Sequence, residues 1–261
     1  MSKRSMILAA MIAASAGVAW AQETPASPEV PAVEPGLLGT EFMAGWTKQF
    51  ELGLAGSGGN TDSLAFNSAL TFSTDKDGYR AELGARYFLT TNDGDRNRNE
   101  VRVYGTYDKK FEGSPWFVFG RVQYDYDEFQ AWENRASAFF GPGYEFVKKE
   151  NYELIGRVGL GVAQDFGNDA TDEFRVEALL GIDGKWKVTE GQEFTYSIYY
   201  FPSLSDFADG RTLTQLGYLI ALNEAKGISL RLGLEHEYEQ RTANSSDHND
   251  WKYFVNLLVK F

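Results

Sequence analysis

The feature that most constrains this chain is a strict two-residue alternation, seen most cleanly in its last eleven residues. Trp251, Tyr253, Val255, Leu257, Val259 and Phe261 fall on one side and are all apolar or aromatic. Lys252, Phe254, Asn256, Leu258 and Lys260 fall on the other. Successive side chains of a strand point to opposite faces, so an extended segment here is apolar on one side and mixed on the other. A strand that crosses a bilayer needs about 9–11 residues with this alternation and aromatic residues near its ends. The segment therefore predicts a membrane-spanning β-strand, which the rest of the chain must accompany.

At the other terminus, Lys3 and Arg4 precede an apolar run from Met6 to Val18, and Ala19-Trp20-Ala21 fits a small-x-small cleavage site. This is the pattern of a secretory signal peptide over residues 1–21, cleaved before Gln22. Removing Lys3 and Arg4 takes the formal charge from −12 to −14, which argues against nucleic acid as a partner. Residues 22–45 carry Pro25, Pro28, Pro31 and Pro35 and are expected to form a periplasmic linker. No later run is apolar for long enough to make a membrane helix, so any crossing must use a barrel. The chain has no cysteine, which leaves neither disulfides nor thiolate metal sites.

From Trp46 onward, strand plus connection repeats about every twenty residues, the spacing of a meander. The alternation predicts strands near 46–56, 64–74, 79–91, 99–111, 116–128, 134–147, 152–165, 173–187, 193–203, 212–223, 227–240 and 251–261. Twelve is even, as a bacterial single-chain barrel requires. The fold class expected over residues 46–261 is all-β, a transmembrane antiparallel up-and-down barrel. Short turns such as Asp75–Gly78 and Thr189–Gln192 alternate with longer polar connections, among them 57–63, 92–98, 166–172 and 242–250. Every lysine after Lys3 except Lys252 falls at the short-turn end, and acids collect at the other. A wrong strand count would scramble that segregation.

The alternation also sorts residues by face. One face is almost free of charge at mid-strand: Leu83, Val103, Val122, Leu160, Val176 and Leu232 are examples. The other carries Glu82, Arg86, Arg102, Arg121, Asp125, Arg157, Arg175, Glu177, Arg231 and Glu235, with bulky Phe88, Tyr104, Phe117, Phe139 and Tyr199 among them. Charges in hydrocarbon cost about 2–4 kcal/mol each at the midplane of a barrel, so the pure face is expected to meet lipid and the mixed face to line the lumen. A soluble barrel or sandwich would reverse this, and period two alone does not separate the two.

Phe50-Glu-Leu-Gly-Leu54 followed by Ser57-Gly-Gly-Asn-Thr-Asp-Ser63 resembles the opening of the YdiY-like salt-induced outer-membrane protein family. Arg102-Val-Tyr-Gly-Thr-Tyr-Asp108, Gly141-Pro-Gly-Tyr-Glu-Phe146 and Tyr199-Tyr-Phe-Pro-Ser203 fit the same family, so the resemblance spans most of residues 46–261. It implies an outer-membrane location and a barrel architecture, and it supplies no catalytic residues. The last strand also resembles the closing strand of outer-membrane barrels. That implies an assembly signal at Trp251, Tyr253 and Phe261, read by the barrel-assembly machinery.

Three functions are weighed on the residues. One is a structural or salt- and envelope-stress role in the outer membrane, with a narrow solute path lined by the arginine–acid pairs. The alternative is a porin-like diffusion channel for small solutes. The third is a hydrolase built on His236 or on His248 beside Asp247 and Ser245, although neighbours along a loop do not establish catalytic geometry. Outer-membrane lipid is the expected surrounding, with both termini in the periplasm, and no cofactor is expected. Asp169, Asp172 and Glu173 offer oxygen ligands for loosely bound divalent cations, or simply a solvated rim.

Overall fold

The computed structural model describes residues 44–58, 62–130, 132–167, 173–206, 209–240 and 248–261. The expected signal peptide, nearly all of the expected linker, and Gly59, Asn60 and Thr61 of the first connection lie outside these residues.

Twelve strands follow one another: β1 (Thr47–Ser57), β2 (Ser63–Lys76), β3 (Tyr79–Asn92), β4 (Asp95–Lys110), β5 (Trp116–Asp127), β6 (Asn134–Lys148), β7 (Tyr152–Phe166), β8 (Glu173–Thr189), β9 (Gln192–Pro202), β10 (Gly210–Asn223), β11 (Ile228–Glu239) and β12 (Asn249–Lys260). Each pairs antiparallel with its chain neighbours, and β1 pairs with β12 to close the barrel. Alternation was enough to locate every strand to within a few residues.

One connection differs from expectation. Residues 92–98 are not a long polar loop; β3 and β4 run to a two-residue turn at Asp93-Gly94. Both residues have positive φ, 52° at Asp93 and 87° at Gly94. That is the backbone of a type I′ hairpin, which Asp-Gly adopts at little steric cost and whose twist matches its strands. The Asp93 carboxylate also accepts from the Asp62 backbone N–H at 2.9 Å, tying this turn to the first connection. The opposite end carries connections at 77–78, 111–115, 149–151, 190–191 and 224–227, the last holding one 3-10 turn, Glu224–Lys226.

The two faces sort as the period-two reading expects. Leu54, Phe140 and Tyr253 are 71%, 70% and 85% exposed on the outside, and Val103, Val122, Leu160, Val176 and Leu232 join them. Inside, Phe117, Leu179, Asp108, Glu235 and Asn256 are fully buried. A soluble barrel buries its pure face; this one displays it over a belt far larger than a water-exposed monomer tolerates. The molecule is a closed transmembrane barrel, apolar outside and charged within. Trp116, Trp186, Phe146 and Phe261 are exposed toward the short-turn end, and Trp251 and Phe174 toward the other, as aromatic girdles are.

The seam between β1 and β12 is short. Its register runs only from Gln49↔Lys260 to Leu52↔Leu257, whereas β1 pairs with β2 along its whole length from Thr47↔Ser73 to Ser57↔Ser63. Backbone bonds between Lys48 and Phe261, at 2.9 and 3.3 Å, extend the seam by one step. Inside the barrel, Glu51 on β1 accepts from Asn256 on β12 at 3.0 Å and from Arg231 on β11 at 2.7 Å. Side chains thus reinforce the seam where its ladder is brief.

Because Leu160 stands near the middle of β7 and faces outward, Leu160→Arg is expected to destabilise the folded barrel by about 2–4 kcal/mol. Urea titration in lipid vesicles checks this; an unchanged midpoint would contradict the lipid-facing register.

Candidate functional site

The barrel encloses a lumen crossed by arginines. Strands four or more apart in the ring cannot share a backbone ladder, so a side chain joining them must span the interior. Arg102 on β4 reaches Glu235 and Glu237 on β11 at 2.9 and 3.1 Å, and holds Asp125 on neighbouring β5 at 2.5 Å. Arg98 on β4 meets Asp250 on β12 at 2.7 Å. Arg135 on β6 forks onto Asp165 at 2.8 and 2.9 Å and reaches Glu239 on β11. Nearer the short-turn end, Arg157 on β7 crosses to Asp108 on β4 at 2.7 Å and pairs with Asp183. Arg80 on β3 meets Glu145 and Glu153, on β6 and β7, at 2.7 and 2.9 Å.

Glu235 is the hub. It is 2% exposed and takes Arg102, Arg86 at 3.5 Å, Lys252 at 3.4 Å and the Gln215 amide at 2.6 Å. Lys252 also binds Glu100 at 2.6 Å and Asp250 at 3.3 Å. Buried ions this close must be compensated almost completely, because each one loses its water shell. Asp250, Glu100, Glu235, Glu237 and Asp125 supply that compensation for Arg86, Arg98, Arg102 and Lys252.

The filling is uneven around the ring. Phe117, Phe119, Phe139, Ile155, Leu179, Tyr199, Phe201 and Leu213 form one apolar cluster on β5 to β10. The wall from β11 round to β4 carries more charge, with Glu235, Lys252, Asn256, Glu51, Arg86 and Arg102 around the paired rings of Phe88 and Phe254, 5.6 Å apart. Among the described residues, cavities lie toward both ends of this filling. A vestibule of about 440 Å³ opens at the short-turn end, and a cavity of about 30 Å³ lies toward the other end. The smaller has room for only a couple of waters, on the usual one-probe-sphere criterion. Arg102 lines both.

The sequence-chosen residues do not all meet one another. Arg86, Arg102, Asp125 and Glu235 form one cluster, and Arg175 pairs with Glu177 at 3.3 Å. Arg157 and Arg231 pair instead with Asp108, Asp183 and Glu51. Glu82 accepts the Tyr104 hydroxyl at 2.7 Å. Arg121 donates to Gln123 at 2.8 Å and lies over the Tyr199 ring at 4.7 Å. Glu51, Arg80, Asp108, Arg135, Asp165, Asp183 and Lys252 were passed over. Each shares the parity of the inward residues on its own strand, so period two already holds the signal.

Among the described residues, neither histidine is paired with a serine or an acid side chain. His236 stacks on Trp251 at 3.9 Å, with Nε2 at 2.9 Å from Asn249 Oδ1. His248 Nδ1 lies 2.8 Å from the Glu239 carbonyl oxygen. Ser245 and Asp247 lie outside the described residues, as do Asp169, Asp172 and the Glu173 side chain. Among the described residues, no group of three or more acid or histidine side chains converges as a metal site.

A family described as protein of unknown function, DUF481, matches residues 50–261. The chain belongs to that family. It is the YdiY-like family that the motifs on β1, β4, β6 and β9 resemble. Similar solved structures include an outer-membrane channel from Pseudomonas putida F1, 10% identical, covering 88% of this chain and all (100%) of that one, with a TM-score of 0.48. The NanC porin is 12% identical, covers 83% of this chain and 98% of its own, and has a TM-score of 0.47. The KdgM porin, solved with disordered oligogalacturonate, is 9% identical over 82% and 99%, at 0.43. No curated protein matches the chain.

In this DUF481 barrel, Glu235→Gln keeps the shape of the hub but strands Arg86, Arg102 and Lys252 around a neutral amide. Breaking a buried pair on one side costs about 3–5 kcal/mol, and a loss of that size is expected in the unfolding free energy. Equal stability of the variant, measured by denaturant titration of the lipid-inserted protein, would show the hub to be solvated.

Proposed function

We propose that the protein is a bacterial outer-membrane barrel with a narrow, normally shut path for small charged solutes, serving an envelope response to salt or related stress. The observation that carries this is the position of Arg102. Arg102 lines both the roomy vestibule and the cavity of a couple of waters, and its guanidinium is held there by Asp125, Glu235 and Glu237. The apolar outer belt supports a membrane location, and family membership supports the outer membrane. With an outer-membrane placement, the short turns and both termini face the periplasm, and Trp251, Tyr253 and Phe261 act as the signal for the assembly machinery. The acidic long-loop end concentrates cations and repels anions there, an effect that salt weakens. Loosely held divalent cations at that end belong to the same proposal.

A second reading, a silent structural barrel, is favoured by the cross-lumen struts and the aromatic cluster. Planar-bilayer conductance of the refolded protein separates the two. The conduit reading expects rare, small steps from the wild type and steps several-fold larger from Arg102→Ala combined with Lys252→Ala. Barrels that are folded by gel mobility yet silent in both forms would leave the structural role standing.

A further inference from the structure

Nine charged side chains line the vestibule, and all but two have a counter-ion. Arg80 pairs with Glu153, Arg157 with Asp183, Lys185 with Glu193, Asp75 with Lys110, and Arg102 with Asp125. Among the described residues, Arg121 has no carboxylate partner and Glu82 has no cationic one. They are not strangers in the fold. Glu82 is in register with Thr106, and Thr106 with Arg121, so the two charges stand on one row across β3, β4 and β5. Two strand spacings put their backbones about 10 Å apart.

Their separation is built in. Arg121 is drawn the other way, over the Tyr199 ring on β9 and onto Gln123. Tyr104 stands beside both, its hydroxyl on Glu82 Oε1 and its ring 6.0 Å from the Arg121 guanidinium. That ring can lie where it does because residue 84 is glycine; a Cβ there would run into it. Glu82 and Arg121 both line the cavity.

We propose that this row is a binding site for a small zwitterion of amino-acid size. A carboxylate on the solute pairs with the planar guanidinium, which suits it by geometry as well as charge, and an ammonium group pairs with Glu82. A simple anion gains Arg121 but meets Glu82, and a simple cation gains Glu82 but meets Arg121. Only a solute carrying both charges compensates both, which is how a site rejects competitors as well as attracting its ligand. The site names the solute class for the conduit and rests on that reading for the claim that the solute passes through.

Titration calorimetry of the refolded barrel in detergent, with alanine, acetate and methylamine as probes, tests it. Alanine is expected to bind at least tenfold more tightly than either single-charge analogue. Arg121→Gln and Glu82→Gln are each expected to weaken alanine at least tenfold, in barrels that keep heat-modifiable mobility. Absence of alanine binding, equal binding of alanine and acetate, or unchanged affinity in either variant overturns the proposal. Liposome swelling in alanine separates the two ideas. Binding without swelling keeps the site and removes the conduit, and swelling without binding does the reverse.

Discussion

Everything in this molecule follows from the need to pair backbone hydrogen bonds where no water can replace them. Within hydrocarbon, each unpaired N–H or C=O costs several kcal/mol, so a sheet must have no edge. Twelve strands therefore run as a meander until the last finds the first. The β1–β12 seam is the ladder made between the first and last strands, and its register is far shorter than that of β1 with β2. Glu51 sits at that place. By holding Asn256 and Arg231 from inside, it adds polar contacts to the joint with the fewest backbone bonds.

Closure then inverts the usual interior. With the apolar face given to lipid, the lumen receives the charges and the large polar side chains. Arginine suits that task better than lysine, since its planar fork reaches two or three carboxylates at once and is less strongly hydrated. Arg102, Arg135 and Arg80 each hold at least two acids from different strands. Buried pairs of this kind contribute little net stability when desolvation is counted. Strand number and pairing set the width of the barrel, and these pairs fill its interior by linking strands that face one another across it.

The fold was legible in the sequence because a membrane barrel leaves its lipid face no freedom. Outward positions at mid-strand exclude charge and are mostly apolar, so Leu83, Val103, Val122 and Leu160 mark their strands clearly. The turn at Asp93-Gly94 was obscured by flanking charges, Asp95, Arg96 and Arg98, which resemble a polar loop. They lie on a strand that outlasts the pure face, where the demand for apolar residues lapses. The lumen was less legible for a related reason. Parity tells which residues point inward, but which of them touch depends on partners several strands away. Arg157 is marked as inward by parity, whereas its partners stand on β4 and β8, Asp108 near the end of its strand, and nothing in the local alternation says that they meet it.

The unevenness of the lumen ties these points to function. The buried apolar cluster occupies the β5–β10 side, so the path proposed above would follow the opposite wall. That wall carries Arg86, Arg102, Glu235 and Lys252, and its closure is made of charge pairs. An aromatic plug opens only by repacking, since rings have no net charge on which a field or a solute can pull. An ionic plug exchanges one partner for another of equal charge. On the proposed reading, a solute that brings its own carboxylate and ammonium would replace such contacts one at a time, leaving no charge bare in the interior.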